Sequence, residues 1–207
     1  AGQASNVKFR VKGALQQFPF LDPRQGEFRI SADVKNASYD YAPPMVLPKN
    51  SPPWPGLREV ACELLIDKGV LSLKGVRTAV EGLPGLQIGR IDASISDLYA
   101  HPVVLVTAEG KVPLNEGLGF LKMSPLGSMT GHFLDPANGS GNADFRFKLN
   151  VPLTGSIHPQ VQGSVTLAGN DVFLNPDIPR LARTRAVVGF TESGFTVTGG
   201  QVRALGG

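Results

Sequence analysis

One cysteine, Cys62, stands in 207 residues. A lone thiol forms no disulfide and no cysteine-based zinc site within the chain, so neither scaffold holds this fold together. Such usage fits the cytoplasm or the bacterial periplasm. Charge is also sparse: 18% of residues are charged and the formal net charge is only +3. No run of basic residues and no aromatic RNA-binding motif accompanies that slight excess, which argues against a nucleic-acid partner. No stretch approaches the roughly 18 apolar residues of a membrane-spanning helix. No charged-then-apolar signal segment opens the chain, and AGQASNVKF reads like the interior of a longer one.

Chemistry is missing as well. His101, His132 and His158 stand far apart, and none has a second histidine at ligand spacing. There is no G-x-S-x-G elbow. Gly117-x-Gly119 lacks the third glycine and the preceding strand of a phosphate loop. Asp135, Asn138, Asn142 and Asp144 surround a glycine-rich turn, but without the spacing or the bidentate glutamate of an EF-hand. Glu59, Glu63 and Asp67 fall on the solvated side of a strand. The expectation is a protein with no cofactor and no metal, and not an enzyme.

What the chain does have is alternation. In NADFRFKLNVPL, from Asn142 to Leu153, Ala143, Phe145, Phe147, Leu149 and Val151 are apolar, and the residues between them are polar. A two-residue period is an extended strand with one apolar and one solvated face. The same pattern recurs in Val7 to Lys12, Glu27 to Val34, Glu59 to Asp67, Val70 to Val80, Leu86 to Leu98 and Pro102 to Val112. It returns near 160–168, 183–191 and 194–204. At Asn36 the phase slips and Ala37, Tyr39 and Tyr41 take over the bulk, as at a β-bulge. The 25 glycines and 17 prolines belong to the turns between these strands. FPFLDPRQG and the proline-rich stretch 42–56 read as loops, because proline gives no donor to a ladder. Helix is confined to a segment near 114–134, with Leu114, Leu118 and Leu121 at helical spacing and a further turn expected from Ser128 to Leu134.

The chain partly repeats itself. KFRVK from Lys8 matches DFRFK from Asp144, and Pro55, Leu57 and Gly69 align with Pro179, Leu181 and Gly194. This predicts a first sheet unit over 1–112, a short helical break over 113–141, and a second, shorter unit over 142–207, all in one continuous structural domain. The fold class expected is mainly β, about ten strands in an antiparallel-type sheet. Ten residues of poor helix cannot cover such a face, so it must close into a barrel, pack as a sandwich, or fold around an apolar ligand.

The phrases VKGALQQFPF, ASYDYAPPMV, WPGLREVACELLIDKGVLSLKGVR and LAGNDVFLNPDIPRLARTRAVVGFTESGFTV, in this order, resemble the AsmA-like proteins of Gram-negative envelopes, and among them the YhdP branch. The resemblance spans nearly the whole chain. It implies an internal segment of a long periplasmic protein anchored in the inner membrane, whose curved, taco-like β-sheet forms a hydrophobic groove for phospholipid passing between inner and outer membranes. The implied partners are phospholipid acyl chains, the remainder of the same long chain and further envelope proteins. With the alternation, it points to Phe9, Val11, Phe28, Ile30, Val60, Leu64, Ile66, Phe145, Phe147 and Leu149 as the groove lining. The structural alternative is an envelope interaction module in which these side chains form a closed, dry core, with docking through strand edges or the loop containing Trp54.

Overall fold

The computed structural model describes residues 2–40, 52–124, 126–129, 133–154 and 160–204. Its strands are β1 (Gln3–Gly13), β2 (Gly26–Tyr39), β3 (Leu57–Asp67), β4 (Val70–Val80), β5 (Leu83–Ile95), β6 (Val103–Pro113), β7 (Asn138–Gly139), β8 (Asn142–Pro152), β9 (Gln160–Phe173), β10 (Leu181–Thr191) and β11 (Gly194–Arg203). They form one antiparallel sheet of 11 strands in which nearly every strand pairs with its successor, while the two-residue β7 adds to the far end of β9. The edges β1 and β11 do not pair with each other, so among the described residues the sheet is neither a barrel nor a two-sheet sandwich. A chain of alternating strands joined by short turns favours such a meander.

Bulges shape it. The slip expected at Asn36 is there: its φ is 52°, and the β2–β3 register shifts between Val34 and Ala37. Similar breaks occur at Asn6, Glu59, Gly75 and Arg183, each with positive φ and each beside a register shift. Each bulge bends and twists its strand. Each also resets the side-chain phase, so that Val34 and Ala37, or Leu73 and Val76, point to one face. Glu59 and Arg183 occupy equivalent places in the two hairpins that the repeat aligns.

A buried asparagine fixes one of these irregular places. Asn170 is 4% exposed. Its Oδ1 accepts from the Ala168 N–H at 2.9 Å, and its Nδ2 donates to the carbonyls of Ser140 and Asn142 at 2.8 and 3.0 Å. It thereby ties β9 to the turn that enters β8. Asn170→Ala leaves one donor and two carbonyls to find new partners, and is expected to cost about 1–3 kcal/mol of unfolding free energy, measured by urea titration.

Helix appears where the leucine spacing places it. α1 runs Leu114–Met123 and α2 runs Leu126–Met129. Glu116 in the first turn and Lys122 in the last complement the helix dipole, and the Ser124 N–H closes the end on the Leu121 carbonyl. Gly119 lowers helix propensity but serves packing, since a Cβ there would stand 2.9 Å from Leu83 Cδ2. The second helical turn comes earlier than Ser128 to Leu134, and residues 130–132 of that expectation, His132 among them, lie outside the described residues. So do His158, Tyr41 and residues 42–51 of the proline-rich stretch. β5 starts at Leu83, not Leu86: the turn is Glu81–Gly82, and Pro84 is accommodated at the strand's beginning.

Candidate functional site: an apolar lane across the strands

Residues directly opposite each other in an antiparallel sheet share a face. The register therefore defines rows that run across the strands. One row links Phe9, Ile30, Ile66, Leu71, Ile95, Val104 and Val151. The next links Ala32, Leu64, Leu73, Ala93, Val106, Leu149 and Val161. A third passes through Val76, Ile91, Ala108, Phe147, Gly163, Phe190 and Phe195. The rows stand about 7 Å apart along the strands, and at about 4.8 Å per strand each row of seven crosses roughly 29 Å of sheet.

Cover is uneven. Near the end where β6 leads into α1, Val80, Leu83, Leu86 and Val112 form a buried cluster with Phe120 packed on it. Leu114, Ala143, Leu167 and Val172 form another, with Leu118 against it. α1 thus seals one margin of the apolar face. Along β8 the effect is graded: Ala143 is 2% exposed, whereas Phe145, Phe147, Leu149 and Val151 remain half-buried. At the opposite margin, the segment between β1 and β2 folds back on the sheet. Phe18 packs edge-on against Phe28 at 4.9 Å and against Phe20 at 5.9 Å. The loop after β5 is held by Asp97, whose carboxylate accepts from the Ala100 and Tyr99 N–H groups at 2.9 and 3.0 Å and is kept below the usual aspartate range by them. What remains is an apolar lane, uncovered among the described residues, between two covered margins.

All ten residues picked from the sequence lie on this face. Phe9, Ile30 and Ile66 share a row, and Val11 sits opposite Phe28. Phe145, Phe147 and Leu149 sit opposite Gly110, Ala108 and Val106. Their exposure differs. Phe28 and Val60 are each 9% exposed and so are already covered by protein, Phe9 is 67% exposed at the edge, and Ile30, Leu64, Ile66, Phe145, Phe147 and Leu149 lie between. Cys62 stands on the same face, opposite Val34, and burial raises its thiol pKa. Trp54 lies against Phe120 of α1, with ring centroids 6.1 Å apart. The sequence reasoning passed over Phe18, Phe20 and Phe190. The first two sit in a stretch without period, and Phe190 gains its meaning only from the neighbour across the ladder.

The other face is charged. Arg29 pairs with Asp67 at 4.0 Å, Arg90 with Glu109 at 3.4 Å and Lys111 with Asp144 at 3.6 Å, each pair directly opposite in register. These pairs are exposed and contribute little stability, but they mark this face as solvated. A depression of about 550 Å³ lies here among Arg90, Asp92, Glu109, Arg146 and Lys148. Charged side chains line it together with Thr107, Gln162 and Ser164, and its carboxylates are occupied, Glu109 by Arg90 and Asp92 by the Gly75 N–H. Among the described residues no cluster of His, Cys, Asp or Glu is arranged to hold a metal ion, and no helix is long and apolar enough to cross a membrane.

An open antiparallel meander with one apolar and one charged face defines an all-β protein built around an extended surface rather than a pocket. The model of the YhdP protein family matches residues 1–207, and the chain belongs to that family. A similar protein is the intermembrane phospholipid transporter YhdP of Escherichia coli strain K12, 27% identical over 176 residues. The alignment covers 84% of this chain and 13% of that protein, so the chain matches only a small part of its relative's length. No solved structure matches.

Proposed function

We propose that this chain is one stretch of a phospholipid-conducting surface within a longer periplasmic protein anchored in the inner membrane. Acyl chains lie on the uncovered lane and move from strand to strand, with no bond made or broken and no catalytic residue. The observation that carries this reading is the set of apolar rows that cross successive strands without a charged interruption and, among the described residues, without a protein cover. Burial is non-directional and contributes roughly 25 cal/mol per Å². Successive contacts of similar strength let a chain slide without a deep trap. Phe9, Val11, Ile30, Leu64, Ile66, Phe145, Phe147 and Leu149 line the lane, with Phe28 and Val60 supporting its floor. The two aligned segments, 1–112 and 142–207, serve as successive units of one surface, and the rest of the long chain continues it.

The test is site-specific photo-crosslinking in the full-length protein in cells. A photoreactive residue at position 147 is expected to capture phospholipid, identified by mass spectrometry, and one at position 148 to capture none. Equal labelling at both positions, or none at 147, sinks the reading.

A further inference from the structure

We infer that Phe190 sets the clearance of the lane by lying flat on Gly163, an inference that rests on the conduit reading. Gly163 sits in mid-strand on β9, opposite Phe147 on β8 and Phe190 on β10, and Phe190 in turn faces Phe195 on β11. Its backbone is not left-handed, so conformational freedom does not explain a glycine here. Space does. A Cβ at this position would collide with Phe190 Cζ, the far tip of the ring, and would stand 2.8 Å from Phe147 Cβ and 2.7 Å from the Arg146 carbonyl oxygen. The ring of Phe190 therefore reaches across the ladder and occupies the place where a β9 side chain would rise.

The consequence is local to this row. In the flanking rows β9 carries Val161 and Val165. In this one it carries nothing, and the tip of the Phe190 ring takes the place of the missing side chain. Phe145, Phe147, Phe190 and Phe195 make this part of the lane aromatic, whereas the β3 to β6 part is built of Ile, Leu, Val and Ala. A phenylalanine has a small set of staggered χ1 positions. Off the glycine, the ring would have to stand up into the path of an acyl chain. Gly163 and Phe190 thus form a positioning pair: the glycine holds the ring down, and the ring down keeps the lane continuous from β8 to β11.

The test uses the full-length protein with a photoreactive residue at position 64 or at position 197, one on each side of the pair. Gly163→Ala is expected to change the ratio of lipid adducts at 197 to those at 64 by about fivefold, the population change that about 1 kcal/mol produces. Phe190→Ala with Gly163 kept adds no Cβ beside the Arg146 carbonyl or Phe147, empties the notch over the glycine and is expected to change the ratio as well. A purely structural glycine would lower the thermal midpoint and depress both positions together, and removing the ring alone would leave the ratio as it was. An unchanged ratio in Phe190→Ala overturns the inference. Absence of adducts at both positions in the unsubstituted protein removes the conduit reading instead.

Discussion

Phe20→Ala is expected to destabilise the chain by about 3–5 kcal/mol, the range for deleting a fully buried aromatic side chain. Phe20 is 0% exposed although it belongs to an irregular segment. Its ring lies against the backbone where β1 ends and β2 begins: a Cβ on Gly13 would stand 2.7 Å from its Cε1, and one on Gly26 would stand 2.8 Å from its Cδ1. Phe18 then packs edge-on against Phe20 and against Phe28. Removing the ring leaves a cavity beneath Phe18 that strands cannot collapse to fill, because their ladder bonds hold them apart. Domains of this kind are stable by only about 5–15 kcal/mol. The loss should appear as a lower urea midpoint with an unchanged slope. A shift under about 0.5 kcal/mol, the size of a neutral surface change, would show that the segment is not part of the core.

Phe147→Asp tests the opposite kind of position. Phe147 is half-buried, with Phe145 stacked on it at 6.3 Å and the Phe190 ring beside it over Gly163. The folded chain loses less when it goes than when the fully buried Phe20 goes. On the proposed reading, an acyl chain crossing this position loses much more. It gives up the contact area of an aromatic ring, about 1.5–3 kcal/mol for full burial, and meets a carboxylate that resists leaving water. Lipid transfer by the full-length protein is expected to fall at least about tenfold, which needs only about 1.4 kcal/mol. Lys148→Asp, one residue away on the charged face, is expected to leave transfer unchanged. The readout is labelled phospholipid moved between donor and acceptor vesicles, with the thermal midpoint recorded for both variants. Equal transfer by the two variants would remove position 147 from the path.

Much of the fold is legible in the chain. Alternation in VKFRVK, ADFRFKLNV and TAEGKV marks strands whatever surrounds them, because a pleated backbone sends successive side chains to opposite sides. The slip at Asn36 and the leucines of α1 are equally local. Element limits read less well where another strand decides them. β9 continues to Phe173, beyond 168, because β10 and the short β7 supply its hydrogen bonds there, across the bulge that Asn170 secures. The GLPG phrase reads as a turn, yet β4 recruits Leu83 into the ladder opposite Val80.

The candidate surface divides in the same way. That Phe145, Phe147 and Leu149 share a face follows from their spacing. That Phe28 is covered while Ile30, two residues along the same strand, stays half-open follows from Phe18, brought back from outside the strand pattern. Gly163 looks like a weak point of β9 until Phe190 is placed across from it. The sequence by itself determined the two faces and the main helical interruption, since each depends on neighbours close in the chain, whereas the strand order is set by the ladder pairings of the folded sheet. Only the tertiary structure decided which part of the apolar face is sealed and which is left as a lane. Cover is a contact between residues remote in sequence, and periodicity carries no record of which remote segment lies on which row.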